Sequence, residues 1–159
     1  MKATSFRDSL LAGRIHESHI GSYLRRNGWC IIPIYELEVE SGKGPQIFAP
    51  NGESFIAPDL IVHREGSTRF VEAKTKTVFS WRRNPPGPRW ETGIDLRHYR
   101  HYCRVAELFP TWELHLLFLH TCSTPWNKDR LYDCPTECPT GLFRGRLAEL
   151  RHRVRTDDR

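Results

Sequence analysis

Two carboxylates and one amine, on Asp59, Glu72 and Lys74, lie within the short stretch Phe55–Lys76. Carboxylate oxygens are the ligands that hard divalent cations take in proteins, and a neighbouring ammonium adds positive charge beside such an ion. The three side chains could hold a divalent cation if the chain brings them together. Whether they meet depends on the secondary structure of the stretch.

The stretch is predicted to form a β-hairpin, because two apolar runs flank the polar turn at residues 64–67. A two-residue loop at Glu65-Gly66 gives a register in which Asp59 lies opposite Glu72. Directly opposed residues have Cβ atoms roughly 4.5–5.5 Å apart, and the period of two puts Lys74 on the face of Glu72. Two such anions repel each other unless a cation lies between them. A register shifted by one residue would instead send Asp59 to the opposite face, as an ordinary solvated strand end.

Pro58-Asp59 and Glu72-Ala73-Lys74 resemble the motif of the PD-(D/E)XK nuclease superfamily. The resemblance implies that Asp59, Glu72 and the backbone carbonyl of Ala73 bind Mg²⁺, for which Mn²⁺ can substitute. It also implies that Lys74 positions or activates the attacking water. The expected function is therefore Mg²⁺-dependent hydrolysis of phosphodiester bonds in nucleic acid, with DNA favoured over RNA. The alternative is a nucleic-acid-binding module that has the same fold and does not cleave.

A third acidic residue, Glu17, is predicted to lie on a first helix that ends at Asn27-Gly28. Glu17 shares a face of this helix with Ile20 and Leu24, where a carboxylate without a partner is costly to bury. In the superfamily that the chain resembles, the first helix often carries a Glu directed at the metal, either directly or through water. Glu17 matches that place. The alternative is a Glu at the boundary of the apolar face that extends into solvent.

The remaining elements are predicted from apolar periodicity and turn residues. Trp29–Glu38 is a strand, which Pro33 should place at a sheet edge or at a bulge. Ser41–Gly52 is a loop or a small extra hairpin leading into the strand of Asp59. Leu96–Phe109 is a helix that Asp95 can cap, and Trp112–Thr121 is an interior strand buried on both faces. Apolar spacing of three and four predicts the buried stripe of this helix as Tyr99, Tyr102, Cys103, Ala106 and Phe109.

The predicted order of helix, three strands, helix and strand is that of an α/β fold. It matches the αβββαβ, restriction-endonuclease-like core of the superfamily, a mixed four-stranded sheet flanked by helices. We expect the core to span residues 1–121. Residues 122–159 should form a C-terminal loop and a short basic helix packed on the same domain. The resemblance further implies that the second helix supplies a polar residue to the active site, with His98, Tyr99 and Tyr102 as candidates.

A basic, aromatic and proline-rich segment, Phe79–Gly93, follows the predicted site, and its prolines are expected to prevent regular structure. Cations suit phosphates and aromatic rings suit bases, so the segment is predicted to bind nucleic acid. The alternative is a loop folded back on the core with its tryptophans buried. The predicted nucleic-acid contacts are Lys76, Trp81, Arg82, Arg83, Arg89, Trp90 and His98.

The C-terminal part contains a weaker pattern, in which His120, Cys122, Cys134 and Cys138 have a spacing that a structural zinc could use. The alternative is free loop thiols, and a zinc-organised adaptor protein is the third functional class considered.

Composition narrows the class of protein. The chain has 159 residues with a net charge of +5, and the segment from Lys74 to Arg104 is locally basic. No stretch approaches the roughly 18 apolar residues of a membrane span, and the N-terminus lacks the apolar core of a signal peptide. The 5 cysteines are an odd number, which favours reduced thiols. We therefore expect a cytoplasmic protein without membrane contact. Its oligomeric state is open, and a homodimer is one of the alternatives.

Overall fold

The computed structural model describes residues 18–34, 45–76, 78–84, 87–125 and 133–150. Over these residues the protein is a mixed α/β structure whose main sheet has five strands in the order β1-β4-β5-β8-β9, with parallel and antiparallel pairing. Two further two-stranded sheets pair β2 with β3 and β6 with β7. The helix α1 covers residues 18–26. The remaining elements are β1 Cys30–Pro33, β2 Gln46–Phe48, β3 Ser54–Ile56, β4 Leu60–Arg64, β5 Ser67–Lys76, β6 Ser80–Arg82, β7 Arg89–Glu91, α2 Leu96–Leu108, β8 Glu113–His120, β9 Gly141–Arg146 and a 3₁₀ turn Leu147–Glu149.

The β4–β5 hairpin has the predicted register. Leu60 pairs with Val71, and the antiparallel ladder continues to Arg64 opposite Ser67. Both loop residues have positive φ, 49° at Glu65 and 78° at Gly66, which is the backbone of a type I′ turn. This turn matches the right-handed twist of the strands, so a two-residue loop fixes the pairing.

The strand β1 lies at one edge of the main sheet, as predicted from Pro33, and pairs with β4 alone among the described strands. Pro33 lies opposite Leu60. The ladder is extended by one hydrogen bond, in which the Ile34 amide donates to the Asp59 carbonyl over 2.9 Å. The rest of the predicted strand, residues 35–40, lies outside the described residues.

Two small hairpins accompany the main sheet. The β2–β3 hairpin agrees with the extra hairpin that was one of two expectations for residues 41–52, although its second strand lies beyond that range, at Ser54–Ile56. The β6–β7 hairpin corrects the prediction that Phe79–Gly93 has no regular structure. The physical reason is the position of the described Pro88, which precedes β7 and so removes no donor from the three-residue ladder.

The helix α2 and the strand β8 occur where they were predicted. Asp95 occupies the N-cap position with extended backbone, although its side chain makes no capping hydrogen bond among the described residues. Tyr102 and Val105 are the fully buried residues of α2. Val105 was absent from the predicted stripe, whose Cys103 and Ala106 are only half-buried. In β8 the residues 114–118 are all buried, as expected for an interior strand.

The prediction of a C-terminal helix within Gly141–Arg155 is wrong for the described part. Residues 141–146 form β9 at the other edge of the main sheet, followed by the 3₁₀ turn. Gly141 has a φ of 122°, and a second glycine, Gly145, lies inside the element, so helix propensity is low there. Residues 151–159 lie outside the described residues.

Contacts divide the chain into two compact units. One comprises Met1–Trp29, Ala73–Gly93 and Leu117–Arg144, and its described core includes Phe79 stacked on His120 with ring centroids 3.7 Å apart. The other comprises Cys30–Glu72, Ile94–Leu116 and Gly145–Arg159, and its core includes Phe70 against Phe109 at 5.2 Å. Among the described helices, none has the length and apolar composition that crossing a bilayer requires.

Candidate active site

Asp59 and Glu72 lie at the end of the β4–β5 ladder. Asp59 directly precedes Leu60 and Glu72 directly follows Val71, and Leu60–Val71 is the last pair of the ladder. The Asp59 backbone is fixed through its hydrogen bond with Ile34. Glu72 is 1% exposed, whereas Asp59 is half-buried. A ladder extended by one more pair would place the two carboxylates on the same side of the sheet.

Tyr102 of α2 joins this acidic pair. Its side chain is 1% exposed and its hydroxyl makes a hydrogen bond with Glu72. Burial raises the pKa of Tyr102 far above its ordinary value, and the charge of Glu72, that hydrogen bond and the charge of Asp59 raise it further. Both carboxylates therefore lie within electrostatic reach of one phenol. Asp59, Glu72 and Tyr102 form a cluster that we call the acid–tyrosine cluster.

Of the three polar candidates on the second helix, Tyr102 makes a hydrogen bond with Glu72. Tyr99 makes a hydrogen bond with the thiol of Cys103. His98 is half-buried, and its ring centroid lies 6.1 Å from that of Tyr102. The sequence signal for Tyr102 was its place in the apolar stripe of α2, where a hydroxyl needs a partner.

Lys74 and Ala73 follow Glu72 on the same continuous strand, β5. Strand alternation directs Lys74 to the face of Glu72 and the methyl group of Ala73 to the other face. Lys74 is half-buried and Ala73 is 6% exposed. The third predicted acid, Glu17, lies outside the described residues.

The donor set of the cluster suits a hard cation in type. Carboxylate oxygens are the preferred ligands of Mg²⁺, which usually takes one or two of them and fills its other positions with water or phosphate. Within the described ranges, no group of three or more His, Cys, Asp or Glu side chains is close enough to hold a metal ion. The described part of the cluster thus offers two carboxylates.

The β6–β7 hairpin carries most of the predicted nucleic-acid residues. Trp81 and Trp90 are directly opposed on one face, with ring centroids 4.8 Å apart. Arg82 lies opposite Arg89, and both pair with Glu91, Arg82 through Nε at 3.5 Å. Two arginine charges on this face are thus paired with the single carboxylate of Glu91, so the face keeps a net positive charge.

Arg82, Arg83 and Arg89 of this segment also have partners within the protein. Arg83 pairs with Asp133 at 3.6 Å. The three arginines are thus explained in part by internal ion pairs, and not by a nucleic-acid partner alone. Lys76 lies at the end of β5, close enough for its charge to lower the pKa of His120.

The four predicted zinc ligands do not form a metal-binding group in the described structure. His120 is 1% exposed, is stacked on Phe79, and has Nε2 3.1 Å from the Thr92 hydroxyl. Cys138 donates from Sγ to the Cys122 carbonyl over 3.4 Å. Burial, Asp133 and the neighbouring Cys138 raise the pKa of the Cys134 thiol.

Comparison of the chain with protein-family models, with curated proteins and with solved structures gives no significant match. Any functional assignment must therefore come from the chemistry of the acid–tyrosine cluster and its surroundings.

Proposed function

We propose that the protein is a Mg²⁺-dependent nuclease with a restriction-endonuclease-like core, which hydrolyses phosphodiester bonds of nucleic acid, with DNA favoured. The observation that carries this proposal is that Asp59 and Glu72, at the end of the β4–β5 ladder, both act electrostatically on the buried Tyr102, whose hydroxyl makes a hydrogen bond with Glu72. The order of α1, β1, β4, β5, α2 and β8 is consistent with the core proposed from the motif.

In the proposed site, Asp59, Glu72 and the Ala73 carbonyl would hold the metal ion, with Glu17 supporting it directly or through water. When bound, Mg²⁺ or Mn²⁺ supplies positive charge that polarises a phosphate oxygen and acidifies the attacking water. The protein's own contribution begins with Tyr102, which fixes the Glu72 carboxylate by its hydrogen bond. A ligand held in one rotamer loses less entropy when it binds.

Lys74 has a separate role in the proposal. The Lys74 side chain extends from the same face of β5 as Glu72, two residues further along the strand. From there it would orient the attacking water and offset the negative charge that develops at phosphorus.

The nucleic-acid partner is supported by the β6–β7 hairpin, where paired tryptophans on one face and paired arginines on the other offer ring surfaces and cations. Bases stack on aromatic rings, and phosphates pair with guanidinium groups. The same hairpin favours the second candidate, a nucleic-acid-binding module without hydrolytic activity.

The test is a cleavage assay on DNA and RNA substrates in Mg²⁺, Mn²⁺ and EDTA. Asp59→Asn and Lys74→Met should each lower the cleavage rate by at least about a hundredfold, the scale seen when one transition-state contact is lost. Glu65→Gln is the matched control, because this exposed turn acid lies on the same hairpin at its far end. Cleavage that is unchanged in Asp59→Asn and Lys74→Met would refute the mechanism. Nucleic-acid binding without cleavage under every metal condition would establish the second candidate instead.

A further inference from the structure

A cavity of about 410 Å³ lies beside α2, on the flank of the helix next to Tyr102. Its volume falls in the range of roughly 300–1,000 Å³ that is typical of small-ligand sites. Its walls are mostly apolar and include two aromatic rings, and all of them belong to the compact unit that holds the acid–tyrosine cluster. The wall residues used below are Tyr99, Cys103, Ala106, Trp112, Leu114 and Leu147.

The mouth of this cavity carries fixed charges of both signs. Glu113 and Arg146 both line it, with Arg146 Nη1 3.6 Å from Glu113 Oε1. Arg146 is held in place by Glu149, which accepts from its backbone amide and from its guanidinium. Glu113 accepts a hydrogen bond from His115 over 3.0 Å and lies 3.5 Å from Arg69 Nε.

These partners keep Glu113 ionised. The hydrogen bond from His115 lowers the pKa of the Glu113 carboxyl. Burial opposes this shift, and the charges of His115, Arg69 and Arg146 lower the pKa further. The mouth thus presents guanidinium donors directly beside carboxylate acceptors. Both groups are positioned by other residues before any ligand arrives.

We propose that this cavity binds a guanine base of the nucleic-acid substrate, with the base between the apolar walls and its polar edge toward Glu113 and Arg146. The proposal rests on the proposed function for the source of the base. Guanine carries an acceptor, O6, beside the N1–H and N2–H donors. The acceptor suits the guanidinium, and the two donors suit the carboxylate.

Other small ligands fit the cavity less well. A wholly apolar molecule would displace water from Glu113 and Arg146 without offering hydrogen bonds in return, which is unfavourable. A free phosphate would meet Glu107 and Glu113 at the same wall. A pyrimidine offers less surface to Trp112 and Tyr99, and thymine lacks an amino donor.

The test uses the full chain in EDTA with guanosine, which has no phosphate and so does not need a metal site. Calorimetric titration should show saturable binding of guanosine and at least about tenfold weaker binding of cytidine, the scale of one lost bidentate contact. Ala106→Leu, which adds three carbon atoms to the cavity wall, should abolish binding. Ala49→Leu is the matched control, because it adds the same atoms in the β2–β3 turn.

A second readout keeps the proposal testable if Ala106→Leu fails to fold. Cys103 lines the cavity, whereas Cys30 is exposed on β1. Guanosine should slow the alkylation of Cys103, followed by mass spectrometry, and leave that of Cys30 unchanged. No saturable binding up to the solubility limit, equal binding of cytidine, or unprotected Cys103 at saturating guanosine would each overturn the proposal. Guanosine binding that persists in Asp59→Asn separates this site from the proposed nuclease site, so that either can fail alone.

Discussion

Replacing Tyr102 with phenylalanine removes one hydroxyl from the acid–tyrosine cluster and leaves the ring in place. Tyr102 and Glu72 are each 1% exposed, so water does not readily replace the lost donor. A hydrogen bond to a charged group contributes about 1.5–3 kcal/mol, and no cavity larger than a hydroxyl is created. We therefore expect Tyr102→Phe to lower the free energy of unfolding by about 2 kcal/mol.

The measurement is urea denaturation in EDTA at neutral pH, followed by circular dichroism. With a slope of about 2 kcal/mol per molar urea, the midpoint should fall by about 1 M while the slope stays unchanged. A double-mutant cycle with Glu72→Gln isolates the contact. The two substitutions should be non-additive by about 1–2 kcal/mol, because they remove the two halves of one interaction.

Tyr23→Phe is the matched control, since Tyr23 is 49% exposed on α1. Its effect should stay within about 0.5 kcal/mol, as for most surface substitutions. The reasoning is refuted if Tyr102→Phe shifts the midpoint no further than Tyr23→Phe, or if Tyr102→Phe and Glu72→Gln are additive. Either result would mean that the hydroxyl does not hold Glu72 in solution.

Three further substitutions test the hairpin, the core and a buried histidine. Gly66→Ala should destabilise the protein by about 1–2 kcal/mol in thermal or urea unfolding, because the φ of Gly66 is 78°. Steric clash adds nothing, since a Cβ at this position would meet no atom within 4 Å. Gly93→Ala is the control and should be near neutral, because a Cβ there is also unobstructed. Val105→Ala should cost about 2 kcal/mol because the side chain is 0% exposed, whereas Leu108→Ala at 40% exposed should cost clearly less in the same assay. Burial and then the charge of Lys76 lower the pKa of His120, so its neutral form is favoured in the fold. The contribution of neutral His120 to the free energy of unfolding is present above the unfolded pKa of about 6.5 and is lost as pH falls from that value toward the folded pKa. His120→Gln should reduce this loss when unfolding is followed across pH 7 to 5.

The features predicted well from the sequence are those that local chemistry decides. A Glu-Gly pair between two apolar runs permits a two-residue turn, and that turn sets the β4–β5 register from Arg64 opposite Ser67 to Leu60 opposite Val71. Pro33 has no amide hydrogen, which predicted a sheet edge or a bulge for β1, and β1 lies at an edge. The apolar run in β8 and the capping position of Asp95 before α2 are signals of the same local kind.

The features predicted poorly depend on contacts between distant segments. Nothing local shows that residues 141–146 pair with β8 as a fifth strand. Phe143 packs on Phe79 with centroids 5.0 Å apart, a contact across more than sixty positions. The partners of the basic segment were missed for the same reason, because Asp133 lies far from Arg83 along the chain. Tyr102 was one of three candidates, and only the packing of α2 singled it out.

Position 72 is where stability and function call for different residues. Its neighbours Phe70, Val71 and Ala73 are 2%, 2% and 6% exposed, so an apolar side chain at this position would pack without needing a hydrogen-bond donor. Burying a carboxylate costs several kcal/mol, and the hydrogen bond with Tyr102 offsets about 1.5–3 kcal/mol of that cost. The nearby charge of Asp59 adds repulsion. In the proposed site a bound Mg²⁺ would offset this repulsion, and its binding to the native state would add stability. Added Mg²⁺ should accordingly raise the urea midpoint of unfolding of the wild-type protein and leave that of Asp59→Asn unchanged.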